Sequence, residues 1–223
     1  MVFGRRLGRP LSETKKEILA EGDACYGISP EKALEGFLNP SDLFNFTPEK
    51  ITVEIGFGAG EHLAHQCALA PDEAFFGCEP FINGACSFYQ KAKDLNLNNA
   101  RIFRGDALTL LERFDAASLD KIYILFPDPW PKKKHNKRRL IQEPSLELFH
   151  RLLKKSGMLL IATDHVDYAA WIEKRIHNTP FFTWENQSNP QKTFPNWTQT
   201  RYQMKAAQQN RGAVFFALKK NDI

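Results

Sequence analysis

The chain has 223 residues, 43% of them apolar and 25% charged. That suits one α/β-sized domain with an extension and excludes a disordered tail, a collagen-like fibre and a small disulfide scaffold. No apolar run approaches the roughly 18 to 20 residues that cross a bilayer, and the N-terminal MVFGRRLGRPLSETKKE has no apolar signal core, so the expected location is the cytoplasm with no membrane partner. Cys25, Cys67, Cys78 and Cys86 form no C-x-x-C pair, which predicts free thiols in or near the core and no zinc ribbon. The 30 basic residues exceed the 26 acidic ones by four. Six of them, Lys132, Lys133, Lys134, Lys137, Arg138 and Arg139, fall within eight positions, and without that block 24 would face 26. Charge gathered in this way suits a polyanion, the alternative being a solvated, like-charged loop. A weaker cluster, Arg5, Arg6, Arg9, Lys15 and Lys16, lies near the N-terminus.

Residues 1–48 carry turns at Ser29-Pro30, Asn39-Pro40 and Thr47-Pro48 and little continuous periodicity, which predicts a basic arm with short helical pieces. From residue 49 to 223 short β-rich runs alternate with amphipathic stretches, the pattern of βαβ units around a mostly parallel sheet. Strands are expected at Ile51 to Ile55, Ala74 to Glu79, Ala100 to Arg104, Leu119 to Phe126, Met158 to Ala162 and Ala213 to Leu218. Helices are expected at Glu61 to Leu69, Asn83 to Leu95, Glu143 to Leu153 and Val166 to His177. The apolar LDKIYILF run suits a central strand covered on both faces.

The first strand ends in Glu54-Ile55-Gly56-Phe57-Gly58-Ala59-Gly60 and a helix follows, so the glycines allow a ligand to approach the backbone at a helix N-terminus. Glu79 closes the second strand, where a carboxylate can accept from both ribose hydroxyls of a nucleotide-like cofactor. NAD and S-adenosylmethionine (SAM) both fit that pair. Glu54 favours SAM, because an acid there can meet an ammonium and would repel a pyrophosphate; the alternative is an acid at a strand end. Asp106, after the third strand, can accept from an adenine amine or cap a helix over Ala107 to Arg113, and the two roles are compatible.

Phe126-Pro127-Asp128-Pro129-Trp130-Pro131 then runs straight into the basic block. Three prolines in five positions fix φ and oppose helix or ladder, so Asp128 is expected on a stiff loop at the carboxyl end of the fourth strand. Trp130 offers a face to an unpaired base, and the cations that follow can neutralise phosphates beside it. A carboxylate, an aromatic face and a cationic run on one loop suit a nucleobase-modifying site; a proline-stiffened surface loop is the plain alternative. His62 and His65 share one expected helix face but have no third ligand within motif spacing, so no metal is expected.

The segment FPDPWPKKKHNKRRLIQ, with EIGFGAG before it and TDHVDY after it, closely resembles the bacterial tRNA (guanine-N7)-methyltransferases. The resemblance spans about Thr52 to Gln203; the FPDPW-basic segment is specific to that family, whereas the glycine loop is common to many class I methyltransferases. It implies a doubly wound, mostly parallel seven-stranded sheet of the class I SAM-dependent, Rossmann-like type. It also implies SAM as methyl donor and a guanine of the tRNA variable loop as acceptor, with 49–223 as the methyltransferase domain. By motif, Glu54, Gly56, Gly58, Gly60, Glu79 and Asp106 correspond to cofactor-binding positions, and Asp128 to the active-site residue beside the cofactor. Lys132 and Asp164 correspond to substrate contacts, and Lys134, His135, Asn136, Lys137, Arg138 and Arg139 to the RNA-contacting run. Where the family has T-K-F-E, this chain has Thr200-Arg201-Tyr202-Gln203, so the acid of that substrate contact becomes a neutral acceptor. Lys154-Lys155-Ser156-Gly157 replaces the common K-P-G-G turn. Two rivals remain at this level. One is a non-catalytic RNA-binding protein that retains the fold, with Gln203 in its favour; the other is an NAD-dependent oxidoreductase, which leaves the basic run without a role.

Overall fold

The computed structural model describes residues 10–34, 36–198 and 212–223. The chain packs as two units, Met1–Asp115 and Ala116–Ile223. A seven-stranded sheet runs in the order β3-β2-β1-β4-β5-β7-β6, with β1 Ile51–Ile55, β2 Ala74–Cys78, β3 Ala100–Phe103, β4 Leu119–Leu125, β5 Leu153–Thr163, β6 Phe182–Trp184 and β7 Val214–Lys220. Interleaved with them are α1 Glu13–Tyr26, α2 Glu61–Leu69, α3 Ile82–Asp94, α4 Ala107–Leu111, α5 Glu143–Leu152 and α6 Val166–His177.

In the first unit β1 pairs β2 and β2 pairs β3, all parallel. Every residue of β1 and β2 is buried, Thr52 and Glu54 included. Strands covered on both faces lack a polar alternation, which explains their apolar sequence. Gly77 is needed for packing: a Cβ there would come within 2.6 Å of Leu63 on α2. Phe76 meets Phe114 at 5.1 Å and Phe44 at 5.4 Å, so the turns of residues 39–48 contribute to this core.

The segment expected as an arm with short helical pieces holds a 14-residue helix, α1, docked on α3. A Cβ on Gly22 would overlap the Tyr89 ring at 2.1 Å, and Tyr26 stacks on Tyr89 and donates its hydroxyl to Leu97 O at 2.9 Å. The sequence hid this helix because its contact surface is made of a glycine and a tyrosine with the half-buried Ile18 and Leu19, too few apolar positions to show a stripe.

In the second unit β4 and β5 are parallel, and β7 runs antiparallel between β5 and β6. Leu119 faces Leu153 but Lys121 already faces Met158, so the Lys154-Lys155-Ser156-Gly157 turn is a bulge inside a longer β5, with Ser156 at φ 63°. A Gln142–Ser145 capping box starts α5, and the His165 ring accepts from Tyr168 N–H to cap α6. The three-residue β6 is too short for a period to be read in sequence. All four cysteines are free; Cys67, Cys78 and Cys86 are buried, which raises their thiol pKa values, whereas Cys25 is exposed. Among the described residues no helix is long and apolar enough to cross a membrane, and no cluster of three His, Cys, Asp or Glu side chains could hold a metal ion.

Candidate active site

The first unit carries the glycine turn. Gly56, Gly58 and Gly60 take φ values of 74°, 58° and 74°, a region costly for any residue with a Cβ. At Gly56 a Cβ would meet nothing within 4 Å, so the backbone there faces open space, as a cradle for a ligand requires. Gly60 opens α2, and a Cβ on it would strike Phe88 at 2.8 Å. On α3, Gly84 comes so close that a Cβ would lie 2.3 Å from Gly58 O, and Lys91 Nζ donates to Ala59 O at 3.0 Å. The loop is therefore held open on one side and clamped on the other.

Glu79 stands just beyond β2 and is 8% exposed. Its Oε2 accepts from Gly58 N–H and its Oε1 from Phe81 N–H, both at 2.9 Å. The acid that braces the glycine turn thus stands just past the end of β2, where a carboxylate can receive the hydroxyls of a ribose. Glu54 is buried and shares a 2.7 Å hydrogen bond with His62 Nδ1 on α2. That pairing was not read from sequence, where His62 figured only as an incomplete metal ligand. Asp106 caps α4 through Leu108 N–H at 3.2 Å, so the capping role is realised.

The second unit carries the proline loop. It leaves β4 at Phe126, whose N–H donates to Ala162 O at 2.8 Å. Phe126 and Trp130 both have positive φ, 52° and 42°, so two sharp bends bracket Pro127, Asp128 and Pro129. Asp128 stands at the accessible crest, yet partial burial raises its carboxyl above the usual aspartate range.

The basic run is a single 3-10 helix, Lys133–Arg138, and its members are not equivalent. Lys132, Lys133, Lys134 and Lys137 are exposed and have no ion-pair partner among the described residues. Arg138 lies over the Trp130 ring at 5.0 Å, and His135 meets that ring edge-on at 5.9 Å. Desolvation and the surrounding cations hold the His135 imidazole below its ordinary pKa. The Asn136 side-chain amide, with its nitrogen turned inward, donates to Trp130 O at 3.1 Å and ties the loop to itself. Arg139, expected within the RNA-contacting run, is 2% exposed and faces inward. Its Nε donates to Pro129 O at 2.8 Å and its Nη2 to Asp167, and its guanidinium lies 5.0 Å from the Tyr168 ring and 4.8 Å from that of Trp171. Arg139 therefore anchors the Asp128 loop to α6.

Asp164 follows β5 directly, half-buried, ahead of the His165 cap. The expected contacts Thr200 and Gln203 lie outside the described residues, as do Arg5, Arg6 and Arg9.

Among solved structures the chain resembles an rRNA methylase from Streptococcus thermophilus, with TM-score 0.54 and 15% identity over 82% of this chain and 93% of that one. It also resembles a tRNA (m1A58) methyltransferase from Aquifex aeolicus, with TM-score 0.52 and 15% identity over 88% and 70% of the two chains. Sheet order, glycine turn and these likenesses define a class I, Rossmann-like methyltransferase fold. A family described as putative methyltransferase matches residues 48–216. A tRNA (guanine-N(7)-)-methyltransferase of Rhizobium etli is 35% identical over 98% of this chain and 95% of its own length. Those of Rhizobium meliloti and Zymomonas mobilis are 36% and 35% identical, each covering 98% of this chain and 94% of their own. The chain belongs to the tRNA (guanine-N7)-methyltransferase family.

Proposed function

We propose that this protein transfers the methyl group of SAM to N7 of a guanine in tRNA, in the variable loop. The observation that carries the reading is Asp128, held on a strained proline loop that continues into four exposed lysines. The cofactor positions fit: an open glycine cradle at Gly56, a braced ribose acid in Glu79, and Glu54 and Asp106 for the ammonium and the adenine amine. Bound there, SAM supplies an electrophilic methyl on a sulfonium.

Guanine N7 has a lone pair and no proton to lose, so bound SAM would supply the methyl and keep the electron pair of its sulfur–carbon bond, and this chain would have no proton to remove. No general base is needed, and the chain's task is alignment and charge. The guanine ring gains one positive charge. Asp128 accepts from the guanine N–H donors and stabilises that charge as it develops, in a partly desolvated setting that strengthens the effect. Lys132 and Asp164 contact the substrate with Thr200 and Gln203, and Lys133, Lys134 and Lys137 engage phosphates while Trp130 and Arg138 present a stacked pair to the base. The substrate places the reaction where tRNA matures, the cytoplasm.

The test is incorporation of labelled methyl from SAM into unmodified tRNA with mapping of the modified nucleotide. Label at N7 of a variable-loop guanine is expected. SAM binding without incorporation would favour the RNA-binding rival, and label at any other atom would overturn the assigned acceptor.

A further inference from the structure

Asp23 lies one turn before the end of α1, outside every position assigned above. Its Oδ1 accepts from the Tyr89 hydroxyl on α3 and its Oδ2 from the Arg104 guanidinium, both at 2.7 Å. Arg104 is the first residue after β3 and stands two positions before Asp106. The chain beyond α1 grips the same strand end: Gly27 bridges Ile102 in parallel, and Ile28 N–H donates to Ile102 O at 2.8 Å. On the other flank Glu79 N–H donates to Phe103 O at 3.1 Å. The end of β3 is thus held between the backbone of the ribose acid and the α1 segment. The turn that follows has little slack, since a Cβ on Gly105 would lie 2.5 Å from the Phe103 ring.

We propose that Asp23 is a positioning residue of the cofactor site, fixing through Arg104 the turn that presents Asp106 to the adenine amine. A carboxylate bridging a helix, its neighbour and a strand end does more than an isolated surface pair, because moving it shifts three elements together. The inference rests on the reading of Asp106 as the adenine contact.

Calorimetric titration with S-adenosylhomocysteine and with S-inosylhomocysteine, which has a carbonyl in place of the adenine amine, tests it. Asp23→Ala and Arg104→Ala should each weaken S-adenosylhomocysteine by roughly 3- to 10-fold, the scale of coupling within one network, and leave the inosine analogue unchanged. The double variant should be no weaker than either single one. Tyr89→Phe should keep the parent's preference between the two ligands, since the path runs through Arg104. Asp23→Asn, which keeps an acceptor for Tyr89 and loses the charge on Arg104, serves if Asp23→Ala folds poorly. An equal loss for both ligands, or parent preference in the Asp23 variants while Asp106→Ala abolishes it, would overturn the positioning role. Unchanged preference in Asp106→Ala would overturn the adenine assignment beneath it.

Discussion

Asp128 and Glu79 are both carboxylates at strand ends, and their surroundings give them opposite tasks. Glu79 has two backbone donors and little exposure, so it is a fixed acceptor; Glu79→Ala should weaken SAM binding about 10-fold or more and leave tRNA affinity intact, as calorimetry would show. Among the described residues Asp128 has no such brace, and it is exposed on its loop. Asp128→Ala should leave SAM affinity within a few-fold and lower single-turnover methyl transfer by about 10²-fold, and near-normal turnover would sink its assignment. Its carboxyl is raised by desolvation, so on acidification it takes up a proton at a higher pH than an exposed aspartate does. Methyl transfer at saturating tRNA should therefore fall as pH drops through that raised value, and the acid limb should be absent from the residual activity of Asp128→Asn. These residues were legible in sequence because chain position alone puts an acid at a strand end. The Glu54–His62 pair was not, since it depends on which way the α2 helix turns after the glycines.

The basic run shows how an element can divide one composition among several roles. The charge count weighed its cations alike and the resemblance set Lys132 apart as a substrate contact; the 3-10 turn points four lysines outward, lays Arg138 on Trp130 and buries Arg139. Two contrasting variants follow. Lys133→Ala/Lys134→Ala/Lys137→Ala should lower the log–log salt slope of tRNA binding by about 2 to 3 if each lysine neutralises one phosphate, and an unchanged slope would make the run a solvated loop. Arg139→Ala should leave most of that slope in place but cost about 2 kcal/mol in urea unfolding, because a charge-assisted set of bonds and its stacking between rings are lost. Burial is what sequence could not supply here: nothing in KKKHNKRR marks the last arginine, and its partners Asp167, Tyr168 and Trp171 lie about 30 residues on. Apart from β5, which begins at Leu153 rather than Met158 because the expected turn is a bulge within it, the expected helices and strands of the alternating region match closely, because both periods were clear and the glycines and prolines punctuated them. α1 and β6 were not, one having a contact face of glycine and tyrosine and the other only three residues.

At the scale of the molecule, binding is linked to stability. S-adenosylhomocysteine at 100 times its Kd should add about 2.7 kcal/mol and raise Tm by roughly 5 to 10 °C for a chain of this length, a shift that a 10-fold weaker Glu79→Ala should roughly halve at the same ligand concentration. The net charge of +4 arises from one block, so the long-range field that draws in a polyanion is local and should weaken steeply with salt. The docked α1 has a further consequence, in its thiols. Cys25 is exposed on α1, while Cys86 lies buried beneath that helix with its Sγ 3.7 Å from Lys15 O. A maleimide should therefore alkylate Cys25 at once and Cys86 only when the helix lifts away. The slow phase of labelling becomes a clock for local opening, read by mass spectrometry on the wild-type chain, and a bound ligand that steadies the strand end beneath α1 should slow that clock.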